Sequence, residues 1–119
     1  MTPLVWIGSS LEDLRSFPDA VKRVVGYALY LAQTGDKHPD AKPLKGFGGA
    51  GVLEVPVDTE GKTYRMIYTV IFPNAVYVLH AFQKKAKRGI ATSRQDLDLI
   101  RARLQRAQAH SEQEGASNT

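Results

Sequence analysis

One stretch constrains this chain more than any other. Thr63-Tyr64-Arg65-Met66-Ile67-Tyr68-Thr69-Val70-Ile71-Phe72 is dominated by β-branched and aromatic residues on both parities. A half-exposed strand alternates apolar with polar, so a run apolar on both parities is covered on much of both faces. Similar segments flank it, Val52 to Val57 before and Ala75 to Phe82 after. Asp58 to Lys62 and Pro73-Asn74 carry turn chemistry between them, which predicts two hairpins in succession. Upstream, Leu4 to Ile7 reads as a short strand and Ser9 or Ser10 as the cap of a short helix, with Asp13 completing a capping pair on Ser10. Pro18 opens a longer helix. Val21, Val24, Val25, Ala28, Leu29 and Ala32 give that helix one buried stripe. Residues 36 to 51 read as a loop. Thr92 with Gln95 forms a capping-box pattern for a last helix, from about Ser93 to Ala109, with Leu97, Ile100 and Leu104 inward. The expected order is β-α-α-β-β-β-α. This is an α+β domain, two N-terminal helices on a mostly antiparallel four-stranded sheet with a C-terminal helix, over residues 1–109. Residues 110–119, small and polar, are expected to be a disordered tail.

Composition then removes function classes. The 119 residues contain no cysteine, which excludes disulfides, thiolate chemistry and cysteine zinc sites. His38, His80 and His110 are scattered without ligand spacing, so no metal or other cofactor is expected. No serine sits in a nucleophile elbow. Gly46-Phe47-Gly48-Gly49-Ala50-Gly51 matches G-x-G-x-x-G, but it precedes a strand rather than a helix and so lacks the dinucleotide context. The N-terminus has no signal-peptide pattern and no run is long enough to span a bilayer, so a cytoplasmic protein is expected.

The net charge of +4 favours anionic partners. Its distribution is more informative. Lys84, Lys85, Lys87 and Arg88 directly continue an apolar strand. Arg65 interrupts the neighbouring strand, where arginine is costly unless it is paired or faces an open surface. Tyr64, Tyr68, Tyr77 and Phe82 lie on the same two strands. Cations interleaved with aromatics suit RNA, the cations holding phosphates and the rings stacking on bases. RNA brings its own nucleophile, the 2′-hydroxyl, so its cleavage needs alignment, a base, a phosphate-binding cation and an acid, but no metal. Arginine suits the phosphate. A lysine crowded by cations, or His80, suits the base.

Pro43-Leu44-Lys45-Gly46, Val52-Leu53-Glu54-Val55, Thr63 to Tyr68 and Val78-Leu79-His80-Ala81-Phe82-Gln83-Lys84-Lys85, with Ala28 to Gly35, together resemble the RelE/ParE superfamily of type II toxins, in its phage-derived, HigB-like branch. The resemblance spans about Leu4 to Leu104. It implies a RelE-like fold and a ribosome-dependent mRNA endonuclease (mRNA interferase) that inhibits translation. It further implies a hetero-oligomer with a cognate helix-turn-helix antitoxin. It implies Arg65 on the scissile phosphate, Lys84 and Lys85 beside it, and Lys45 in a basic loop, with His80 a further catalytic candidate. Tyr64, Tyr68, Phe82, Lys87 and Arg88 complete the expected RNA surface. Position 85 holds lysine where RelE itself has arginine, and no tyrosine follows Tyr77 to serve as a C-terminal acid. The same scaffold also serves ParE-like gyrase poisons without nuclease activity, and a non-catalytic phage RNA-binding module is the third reading.

Overall fold

The structure, a computed structural model, describes residues 1–49, 51–84 and 92–117. Strand β1 (Leu4–Trp6) leads into helix α1 (Ser10–Arg15) and helix α2 (Asp19–Gln33). Strand β2 (Lys42–Pro43) precedes the meander β3 (Val52–Thr59), β4 (Lys62–Thr69) and β5 (Val76–Lys84), and helix α3 (Arg94–Ser117) closes the chain. The sheet order is β1-β5-β4-β3-β2. Only β1 is parallel to its neighbour; the other pairings are antiparallel. The α+β class is borne out, with five strands rather than four. The extra strand is the two-residue β2, in the segment read as loop. It pairs Lys42 with Glu54 and Pro43 with Leu53 at the sheet edge, where proline is tolerated.

The double-sided character of β4 has a direct structural cause. One face packs on α1 and α2, where Val21, Val25, Ala28, Leu29 and Ala32 meet Val55, Met66, Tyr68, Val76 and Val78. These α2 positions share one helical face. Val24, expected in that stripe, is only half-buried. The other face packs on α3, where Ile100 and Ala107 meet Ile67, Tyr77 and Leu79. β4 stops at Thr69, three residues early. The Thr69 hydroxyl donates to the Gly51 carbonyl and accepts from the Ile71 N–H, and Val70 and Ile71 turn out to solvent. A side chain at Gly51 would collide with Ile71.

The capping of α3 is shifted by one residue. Ser93, not Thr92, receives the Asp96 N–H on its hydroxyl (3.1 Å) and donates to the Asp96 carboxylate (2.8 Å), while the Thr92 hydroxyl is used elsewhere. The helix also runs to Ser117, so the segment 110–117 is helical and not a disordered tail. Buried Ser111 and the hydrogen bond between Tyr77 Oη and His110 Nδ1 (2.9 Å) hold its last turns to the sheet. A register shift in the β4–β5 ladder does most to shape the site. Tyr68 pairs with Val78 but Ile67 pairs with His80, leaving Leu79 as an extra residue. Beyond this bulge the side-chain parity of β5 reverses. His80, Phe82 and Lys84 therefore lie on the α3 face, together with Arg65.

Candidate functional site

Register determines which polar residues share the α3 face. Glu54 is paired across β3–β4 with Ile67, Arg65 with Pro56 and, on the other side, with Phe82, and Lys84 with Thr63. All project to the same side of the sheet. The centre of the group is a carboxylate. Glu54 Oε2 accepts from Arg65 Nη1 at 3.1 Å, and its Oε1 lies 3.7 Å from Lys42 Nζ. Arg65 Nη1 also donates to the Thr92 hydroxyl at 2.8 Å. The side chains of Arg65 and Glu54 are only 13% and 8% exposed, so the pair is substantially desolvated. Arg65 Nε is buried and has no hydrogen-bond partner among the described residues. Burial, and next the Arg65 guanidinium, hold the Lys84 amine below the usual lysine range.

Arg65 is thus the paired case of the two the sequence left open. Its carboxylate partner was not among the expected site residues. The signal was present, since Glu54 is the lone acid among Val52-Leu53-Glu54-Val55-Pro56-Val57, as Arg65 is the lone base from Thr63 to Phe72. The lysine brought to Glu54 is Lys42, not Lys45. Lys45 lies beyond β2, exposed, beside a loop that Arg101 holds to α3 through the Gly46 carbonyl (3.4 Å) and the Phe47 ring (5.0 Å).

His80 is near but differently engaged. Arg103 Nη1 can only donate, so its 3.4 Å contact makes His80 Nδ1 an acceptor, and Nε2–H then donates to Asp96 Oδ1 at 2.9 Å. Both nitrogens are occupied and the ring stacks on Phe82 at 4.5 Å. Burial lowers the His80 pKa from its ordinary value, against the raising effect of Asp96. The ring fastens α3 to β5, with neither nitrogen free, where a free base was expected of His80. Arg103 itself is buried, bonded to the Leu79 carbonyl (3.0 Å) and Ser9 Oγ (3.1 Å).

Tyr64 and Tyr68, expected to stack on bases, face the opposite way. Both are buried in the core beneath α1 and α2, with the Tyr64 ring 4.9 Å from Phe17. Residues one apart in a strand cannot share a face, so the parity that turns Arg65 toward α3 turns these rings inward. Phe82, by contrast, is half-buried on the Arg65 face. Lys85, Lys87 and Arg88 lie outside the described residues. Among the described residues no three His, Asp or Glu side chains gather as a metal-ligand set, and no helix is long and apolar enough to cross a membrane.

The fold resembles that of two solved structures. The isolated E. coli RelE toxin superposes with a TM-score of 0.57 at 18% identity, covering 74% of this chain and 89% of that one. A double arginine-to-alanine mutant of the E. coli toxin RelE in the free state gives 0.56 at 16% identity, covering 88% and 96%. The fold is therefore that of the RelE class. No curated protein matches the sequence. The profile of the family described as "Phage derived protein Gp49-like (DUF891)" matches residues 12–105, and the chain belongs to that family. Fold and family together bear out the resemblance to the RelE superfamily and are compatible with its HigB-like branch.

Proposed function

We propose that this protein is the toxin of a toxin–antitoxin pair and acts as a metal-independent endoribonuclease on mRNA engaged by the ribosome. The observation that carries the reading is a desolvated carboxylate, Glu54, between two cations, beside an arginine whose buried Nε has no partner among the described residues. An unpaired buried N–H costs roughly 1–3 kcal/mol. A phosphate oxygen approaching the Nε side of Arg65 removes that cost while Nη1 stays on Glu54. The RelE fold and the phage-derived family support the toxin reading.

The positions of Arg65, Glu54 and Lys84 support acid–base cleavage. Arg65 holds the scissile phosphate. A Glu54 oxygen accepts the proton of the adjacent 2′-hydroxyl, and the freed oxygen attacks phosphorus. The bond from phosphorus to the 5′-oxygen breaks, and that oxygen takes a proton from the Lys84 ammonium. The products are a 2′,3′-cyclic phosphate and a 5′-hydroxyl. A lysine acid works better with a lowered pKa, which is the direction seen for Lys84. Phe82, beside Arg65, offers a ring for a base. Lys45, Lys85, Lys87 and Arg88 are assigned to the RNA backbone. The partner is an antitoxin of the helix-turn-helix type, and the complex acts in the cytoplasm.

Induced expression tests the reading, with protein synthesis and DNA replication followed side by side. Growth arrest in which synthesis falls first, while the Glu54→Gln variant is harmless, is expected. Arrest in which replication falls first would favour the gyrase-poison reading and refute the nuclease.

A further inference from the structure

We propose that the outward face of α2 docks a second copy of this chain, forming a two-fold symmetric dimer. A surface helix ordinarily carries charge on its solvent side. From Val24 to Gly35 this chain has no charged residue, although 24% of all its residues are charged. Burial does not account for this. Arg23, Gly26, Tyr27 and Tyr30 share one helical face, and all four are exposed, the tyrosines by 55% and 50%. Tyrosine and arginine are enriched where binding energy concentrates. The Tyr27 ring is also supported from the side, edge-on to His38 at 5.8 Å. Gly26 is the second observation. Glycine inside a helix is destabilising relative to alanine, yet a Cβ at Gly26 would meet nothing within 4 Å. The packing of the single chain does not ask for glycine there. A notch in the middle of an exposed face lets a second helix approach closely.

The face selects its own copy as occupant. A two-fold contact must be self-complementary. With the axis between residues 26 and 27, two antiparallel α2 helices set Tyr27 of each copy against Gly26 of the other, ring into notch. Arg23 of each then meets Tyr30 of the other, where a guanidinium lies over a ring. Arg23 is available for this, since it makes no side-chain hydrogen bond or ion pair among the described residues. One turn further out Asp19 faces Thr34, so no like charges meet. A parallel pairing would instead oppose Arg23 to Arg23. This face of α2 points away from the sheet, whose opposite side holds Arg65, so the dimer leaves that cluster uncovered and the proposal does not rest on the nuclease reading. One helix pair is smaller than a standard interface, which makes the association weak.

Sedimentation equilibrium on the full chain tests it, from about 10 μM to about 1 mM, a range that brackets weak association. The parent is expected to pass from monomer to dimer and no further. Gly26→Arg fills the notch and is expected to abolish the dimer while raising the Tm of the monomer, because it also removes a helix glycine. Tyr30→Arg opposes two arginines and is expected to weaken association at least about ten-fold. The exchange variant Arg23→Tyr/Tyr30→Arg restores the same cross-copy pairs and is expected to dimerise within about three-fold of the parent. A parent that stays monomeric, as a face reserved for a different protein would, overturns the proposal. So does a dimer that Gly26→Arg leaves at parent strength, or an exchange variant as weak as Tyr30→Arg.

Discussion

Truncating Arg65 tests whether the centre of the site is a desolvated ion pair or an open phosphate receptor. The Glu54 carboxylate is only 8% exposed in the parent, and Arg65→Ala leaves it Lys42, 3.7 Å away, as its charged partner. Removing one partner of a buried pair costs about 3–5 kcal/mol. The residual lysine and the partial exposure of Arg65 place this case at the lower end, about 3 kcal/mol. Loss of the unpaired Nε returns about 1 kcal/mol. The net expectation is about 2 kcal/mol, or a fall of roughly 6–10 °C in Tm for a domain of this size. Glu54→Gln alone should also destabilise, by stranding the guanidinium. The double variant Glu54→Gln/Arg65→Met should lie within about 1 kcal/mol of the parent, because neither charge is then buried alone. Urea unfolding of the four proteins, followed by Trp6 fluorescence and circular dichroism, gives the cycle directly. A parent-like Arg65→Ala, or a double variant showing the plain sum of the single losses, would refute the reasoning. Activity comparisons on Arg65 variants must therefore be made well below their melting temperatures.

Other consequences are independent of that pair. Tyr68 Oη is buried without a hydrogen-bond partner among the described residues, so Tyr68→Phe should raise stability by about 1 kcal/mol; a Tm that falls would contradict this. Gly8 has φ +59° and a Cβ there would lie 2.8 Å from Arg103 Nε, so Gly8→Ala should cost about 1–3 kcal/mol, read by urea unfolding, and Arg103→Ala in the same background should recover little of it. The His80 pKa is lowered on folding, so its contribution is fully present above the unfolded value of about 6.5 and is lost as pH falls through the folded value. Unfolding midpoints at pH 7.5 and 5.5 should therefore differ less in His80→Asn than in the parent, and an unchanged difference would remove His80 from the linkage.

Side-chain periodicity made the meander and both long helices readable. The double-sided run 63–72 demanded cover on two faces, and α1–α2 and α3 supply it. Three features escaped. β2 is two residues long and has no periodicity to detect. The end of β4 is set by one hydroxyl, that of Thr69, caught between Gly51 and Ile71. The bulge at Leu79 follows from pairing between strands rather than from any local residue pattern, yet it decides that His80, Phe82 and Lys84 join Arg65. For the site, lone charges in apolar strands were the dependable signal, and Glu54 carried it as clearly as Arg65. Aromatic count was a poor guide, because Tyr64 and Tyr68 share a strand with Arg65 but not a face.

The ends left on cut mRNA report most directly on the proposed acid–base chemistry at Glu54, Arg65 and Lys84. Purified protein is added to a translation reaction and the new termini are identified. Termini of 2′,3′-cyclic phosphate and 5′-hydroxyl, formed by the parent and slowed roughly 10²–10³-fold in a folded Lys84→Met variant, are the predicted result. Termini of 3′-hydroxyl and 5′-phosphate, or cutting that Lys84→Met and Glu54→Gln leave at the parent rate, would contradict it.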